Sequence, residues 1–174
     1  MKQRTQAENN RLKGGLRQIN SSPKNDIFVV LDNIKSMYNV GAIFRTSEAI
    51  KAKKIYLCGI TATPPRREIF KVSMGAVEYM DWEYCENTSD LLKKLKKEGV
   101  QIVALEQTDK SVDYKKAKYN KPIAIVLGHE GKGISKEALK DCDLSVEIPM
   151  LGRANSLNVA TSAGIILLIL LKYY

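Results

Sequence analysis

The 174-residue sequence predicts an α/β fold, a parallel sheet with helices on both faces. Short β-rich apolar runs alternate along the chain with segments of helical spacing, the order that builds βαβ units. Three of those runs, IFVVL, QIVAL and IAIVL, are apolar at nearly every position, as strands buried on both faces must be. The composition, 44% hydrophobic and 27% charged, supplies the core of one globular domain and leaves two cramped.

The elements follow in order. Residues 1–25 form a polar arm in which Lys2, Arg4, Arg11, Lys13, Arg17 and Lys24 face one acid, Glu8. The arm reads as a solvated tail or short helix, or as a basic segment that touches a phosphate backbone. A single folded domain is expected over 26–174. Ile27 to Leu31 is its first strand, and Asn39 to Ile50 has apolar Val40, Ile43, Phe44 and Ala49 at helical spacing around Arg45 and Glu48. Asn39 is a candidate N-cap of that helix, with Gly41 near its start. Lys54 to Cys58 is a second strand, and Pro64 and Pro65 mark a loop. Ser89 to Glu98 places Leu91, Leu92 and Leu95 on one helical face, with Lys93, Lys94, Lys96 and Lys97 on the solvated one. Gln101 to Leu105, Ile123 to Leu127 and Leu144 to Ile148 complete the strands. The last segment, Ser156 to Leu171, is apolar all the way round from Ile165 onward, more than one buried stripe requires. Such a helix is deeply buried or lies between subunits, and a homodimer is expected.

Composition also excludes classes. Cys58, Cys85 and Cys142 are odd in number, far apart and accompanied by one histidine, His129, so neither a disulfide framework nor a metal cage is expected. A reducing cytoplasmic setting follows. The N-terminus has charge but no apolar signal core, and the longest apolar run, Gly164 to Leu171, is far short of the about 20 residues that cross a bilayer. The net charge of +9 points to a polyanion, although a basic surface also serves solubility.

Ligands of α/β sheets gather at the carboxyl ends of the strands, and three loops there are unusual. In DNIKSMYNVGAIFRT, Arg45 falls within an otherwise apolar face, where its charge needs a partner. A carboxylate such as Glu48 or Glu130 and a bound phosphate or substrate hydroxyl are both open. In GHEGKGIS, Gly128, Gly131 and Gly133 allow close backbone approach around Glu130, but neither phosphate-binding fingerprint is present and, taken alone, the loop reads better as a plain tight turn. In IPMLGRANSLNVATSAG, Arg153 projects from a loop, and Asn155 or Ser156 is placed to cap the hydrophobic helix. No Ser-His-Asp set, nucleophilic cysteine or carboxylate pair assembles, so hydrolysis is poorly supported.

Taken together, NVGAIFRT (Asn39 to Thr46), LGHEGKGIS (Leu127 to Ser135) and IPMLGRANSLNVATSAG (Ile148 to Gly164) resemble the three signature motifs of the SpoU class, the TrmH-like branch of the SPOUT RNA methyltransferases. The segment Thr63 to Tyr84 resembles the linker of one bacterial subgroup. The resemblance runs from about Ile27 to the C-terminus. It implies a six-stranded parallel sheet with a C-terminal trefoil knot, a homodimer and S-adenosylmethionine (AdoMet) as cofactor. It also implies methylation of a ribose 2′-hydroxyl in RNA, with tRNA ahead of rRNA, and neither metal nor membrane. By motif position, Gly128, Ile148, Leu157, Leu105 and Met150 would bind the cofactor, with Ala104 and Glu106 adding a wall. Arg45, Asn39, Glu130, Ser156 and Asn158 fall on catalytic positions, with Asn39 and Glu130 orienting Arg45. Arg45, Arg153, Arg66 and Arg67 would meet RNA, helped by Lys51, Lys53, Lys54 and the arm. The alternatives are an RNA-binding or assembly factor that keeps the fold without methylating, and a nucleotide-binding protein acting on small molecules.

Overall fold

The continuous apolar runs become the centre of a sheet, and the segments of helical period lie on its two faces. The computed structural model describes residues 3–12 and 23–173. Of the expected basic arm, Lys2, Lys13 and Arg17 lie outside the described residues. Its helix α1 (Gln6–Leu12) opens with a capping box: the Thr5 N–H donates to Glu8 Oε2 at 2.6 Å, and the Glu8 N–H donates to Thr5 Oγ1 at 3.2 Å.

The strands are β1 (Asn25–Asp32), β2 (Ala52–Cys58), β3 (Trp82–Cys85), β4 (Gln101–Leu105), β5 (Val112–Asp113), β6 (Ile123–Gly128) and β7 (Leu144–Glu147). They form one sheet in the order β3-β2-β1-β6-β4-β7-β5, with every pairing parallel. The count exceeds the six that the resemblance implies. Two edge strands were not read from the residues: β3 carries the exposed sequence WEYC, and β5 is only two residues long.

One face of the sheet is covered by α2 (Met37–Ala49), α3 (Arg67–Ser73) and α6 (Val159–Leu170). There Val29 and Leu31 share a core with Val40, Phe44, Ile69 and Ile166. The other face carries α4 (Thr88–Lys97) and α5 (Lys136–Lys140), with Val30 and Val126 packed against Leu92, Leu95 and Ala138. Gly41 lets α2 and α3 touch, since a Cβ there would lie 2.7 Å from the Ile69 carbonyl oxygen.

The helix caps differ from the expected ones. Ser36, not Asn39, caps α2 by accepting the Asn39 N–H at 3.3 Å. Asn158, rather than Asn155 or Ser156, caps α6, its Oδ1 accepting the Ala160 N–H at 3.0 Å and the Thr161 N–H at 3.3 Å. Cys58 and Cys85 stand in register on neighbouring strands, and all three thiols are free. Burial pushes Cys58 and Cys142 up to about 12, so both stay protonated near neutrality and neither serves as a nucleophile.

Candidate active site at the carboxyl ends of the strands

The three motif loops leave the carboxyl ends of β1, β6 and β7, and because every pairing is parallel they emerge at the same edge of the sheet, with the end of β4 between the second and third. At the end of β1, Asp32 is fully buried and ties two elements. Its Oδ1 accepts the Thr88 hydroxyl at 2.6 Å, and its Oδ2 accepts the Ser135 N–H at 2.6 Å. A buried carboxylate is tolerable only when hydrogen-bonded in this way.

After β6 the chain reverses tightly. The His129 N–H donates to the Gly133 carbonyl at 3.0 Å, the Gly133 N–H returns a bond to the His129 carbonyl at 2.9 Å, and Gly133 has φ +68°. A Cβ on Gly128 would collide with the backbone of Gly133 and Ile134, so only glycine fits beneath the turn. His129 is structural: its Nδ1 accepts the Gly131 N–H at 3.0 Å. Glu106, just past β4, holds the far side by accepting the Ile134 N–H at 2.9 Å and the Gln107 N–H at 3.0 Å. Gln107 in turn donates to the Asn155 carbonyl at 2.9 Å, which ties in the loop that follows β7.

Glu130 reaches from this turn to the start of α2. Its Oε1 accepts the Asn39 side-chain amide at 2.8 Å and the Ser36 N–H at 3.0 Å, and its Oε2 accepts the Lys35 N–H at 3.2 Å. Partial burial alone would raise its pKa, but the bonds from Asn39 and the backbone outweigh that and hold the carboxyl below the usual range. Asn39 then accepts the Asn158 amide at 3.0 Å. A continuous chain of hydrogen bonds, Asn158 to Asn39 to Glu130, therefore joins the three motifs.

Between the loops lies a cleft of about 610 Å³, the size of a small-molecule site. The expected residues Leu105, Gly128, Ile148, Met150 and Leu157 all line it. Glu130, Ser156 and Asn158 border it as well, whereas Asn39 is attached to it through its two bonds. Glu147 and Ser162 also line the cleft and were missed. Ala104 does not contribute the expected wall, because it is buried in the core beneath α4.

Arg45 departs most from expectation. It lies on the exposed side of α2, not within an apolar face, and makes no hydrogen bond or ion pair with any described residue. Glu130 and Asn39 bond each other instead of orienting it. Arg153 is exposed at the tip of the last loop, and Arg66 and Arg67 are exposed at the start of α3; none of the three lines the cleft. Lys53 and Lys54 are ion-paired with Asp26 at 2.8 Å and Glu83 at 3.1 Å at the opposite edge of the sheet, which removes them from an interface here.

Residues 26–168 match the SpoU rRNA methylase family. The chain belongs to that family. Among the relatives of this SpoU chain is a tRNA (guanosine(18)-2′-O)-methyltransferase of Aquifex aeolicus, 34% identical over 153 residues, 87% of this chain and 72% of that protein. The Escherichia coli protein of the same name is 30% identical over 142 residues, 82% of this chain and 61% of that protein. Among solved structures, an AdoMet-bound rRNA methyltransferase from Sinorhizobium meliloti superposes with a TM-score of 0.80 at 33% identity, covering 87% of this chain and 57% of that one. The SpoU chain thus spans less than two thirds of the length of several proteins it matches. No described helix is long and apolar enough to cross a membrane.

Proposed function

We propose that this chain transfers a methyl group from AdoMet to a ribose 2′-hydroxyl of RNA, with tRNA the preferred substrate over rRNA. One observation carries the reading: the cleft lined by Leu105, Gly128, Ile148, Met150 and Leu157 is bordered by the hydrogen-bonded chain of Asn158, Asn39 and Glu130. Size and chemistry suit the cofactor. Apolar side chains supply walls for a flat adenine ring and a methionine chain, while the glycine-rich turn exposes backbone groups to its polar atoms. When bound, AdoMet supplies an activated methyl group on a sulfonium.

The chain must then present a weakly nucleophilic hydroxyl in line with that carbon, and alignment alone can supply much of the acceleration. Asn39, held from both sides by Glu130 and Asn158, and Ser156 at the cleft border orient the ribose. Arg45 holds the neighbouring phosphate and polarises the 2′-oxygen; a guanidinium keeps its proton near neutrality, so the hydroxyl proton leaves to phosphate or water. The lack of a hydrogen bond or ion pair from Arg45 to any described residue, on the exposed side of α2, supports this role. Arg153, Arg66 and Arg67 add phosphate contacts.

The same reading includes a homodimer and a C-terminal trefoil knot, the latter supported by the likeness in fold to family structures. A second copy is supported by α6, which buries Ile166, Leu167 and Leu170 on one side yet leaves Leu168 59% exposed, and by exposed Tyr38 on the adjoining α2. Three free thiols support the cytoplasm as its setting. Arg45→Ala tests the assignment: transfer to total RNA should vanish while AdoMet affinity, read by calorimetry, stays close to wild type. Retained transfer would remove Arg45 from the site, and AdoMet binding without transfer by the wild-type protein would favour a non-methylating RNA-binding factor.

A further inference from the structure

A second hollow, of about 400 Å³, lies on the other side of the Gly128–Gly133 turn. It shares His129, Lys132 and Gly133 with the cofactor cleft, so one turn of backbone separates the two. Asn33, Ile60, Lys136 and Glu137 complete the parts that matter here.

Its walls are braced. Asn33 has φ +59° and accepts the Ile60 N–H on Oδ1 at 3.2 Å, which fixes the loop after β2. Thr61 donates to the Leu31 carbonyl at 3.0 Å and accepts the Ile34 N–H at 3.0 Å, and Asp32 holds Ser135 opposite. Ile60 is thereby kept 66% exposed beside the hollow. Lys132 and Lys136 flank it, and neither is ion-paired with a described residue, whereas Lys24, Lys53, Lys54, Lys93 and Lys96 all are. The one lining carboxylate, Glu137, leaves the two lysines in excess.

We infer that this hollow is a subsite for an RNA nucleotide flanking the one whose ribose is methylated. The inference rests on the RNA reading above. Sequence-specific recognition of RNA relies on unstacked bases, and a fixed aliphatic side chain can pack against the face of such a base, as apolar wedges do at base steps. The lysines are placed for its phosphate, and the shared turn sets the hollow directly beside the cleft.

Ile60→Ser and Lys136→Ala touch this hollow without lining the cofactor cleft, and both residues are exposed, so folding is preserved. Filter binding of unfractionated tRNA should weaken about fivefold in Ile60→Ser, the loss of one partly buried apolar contact. Lys136→Ala should lower the salt dependence of tRNA binding by about one phosphate contact. AdoMet affinity by calorimetry should match wild type in both. A double variant that binds tRNA as tightly as wild type, with the same salt dependence, would overturn the subsite. So would a parallel loss of AdoMet affinity, which would make the hollow part of the cofactor cleft. Failure of the parent reading looks different: the wild-type protein would bind AdoMet but no tRNA, and the subsite would fall with it.

Discussion

The two edges of the sheet use their lysines and arginines in opposite ways. At the amino ends of the strands, Lys24, Lys53 and Lys54 pair with Asp81, Asp26 and Glu83, and two of them also lie over the rings of Phe28 and Tyr56. At the carboxyl ends, Lys35, Lys132, Lys136 and Arg153 have no ion-pair partner among the described residues, and Asp32, Glu106 and Glu130 accept from backbone, amide and hydroxyl donors instead. Exposed ion pairs stabilise little, so the amino edge is a neutralised surface. At the carboxyl edge Asp32, Glu106 and Glu130 fix loops, and these four cations are left unpaired among the described residues. Net charge alone could not reveal that asymmetry.

The largest effect should come from cutting the chain of hydrogen bonds at the carboxyl edge. Glu130→Ala releases Asn39 and the start of α2, and a misplacement of that kind should lower methyl transfer by about 100-fold. Lys54→Ala at the other edge should leave the rate unchanged, and equal losses in the two would erase the distinction. Glycines sharpen it next. Gly128→Ala drives a methyl group into the backbone of Gly133 and Ile134 and should cost about 3 kcal/mol in denaturant unfolding, with AdoMet affinity reduced. Gly99→Ala, ahead of β4, meets open space and only the strain of φ +79°, so about 1 kcal/mol is expected, with the cofactor unaffected. Asn158→Asp separates two roles of one residue: the carboxylate still caps α6, so stability should hold, but it can no longer donate to Asn39, and transfer should fall. The smallest effect concerns salt. Lys35→Ala and Arg153→Ala should each reduce the slope of RNA affinity against salt by about one, and Lys53→Ala should leave it alone.

The buried strands were legible because a continuous apolar run has few alternatives; Gln101–Leu105 has the expected bounds, and Ile123–Gly128 differs by one residue. The edge elements were not. Trp82–Cys85 lacks a buried face, and Lys136–Lys140 is too short to show a period. Ser36 was overlooked as a cap because Asn39, three residues on, is an equally good capping type. At the site, motif spacing identified the cleft-lining residues, but Glu130 meets Asn39 across 91 residues and Asn158 meets Asn39 across 119, distances over which local pattern carries no information. The same limit explains Arg45: the three residues before it, Ala42, Ile43 and Phe44, are apolar, yet one helical position placed it outward. The pair Glu106 and Gln107 did leave a signal, two long polar side chains directly after a buried strand at the ligand-binding edge.

The central claim, methylation of a ribose hydroxyl in RNA, is tested most directly by incubating the protein with unfractionated tRNA and methyl-labelled AdoMet, then digesting the RNA in alkali. A 2′-O-methyl group removes the nucleophile that alkali needs to cleave the adjacent phosphodiester. The predicted result is therefore label in alkali-resistant dinucleotides, absent with Arg45→Ala. Label confined to mononucleotides, or no transfer by a protein that binds AdoMet, would contradict the account.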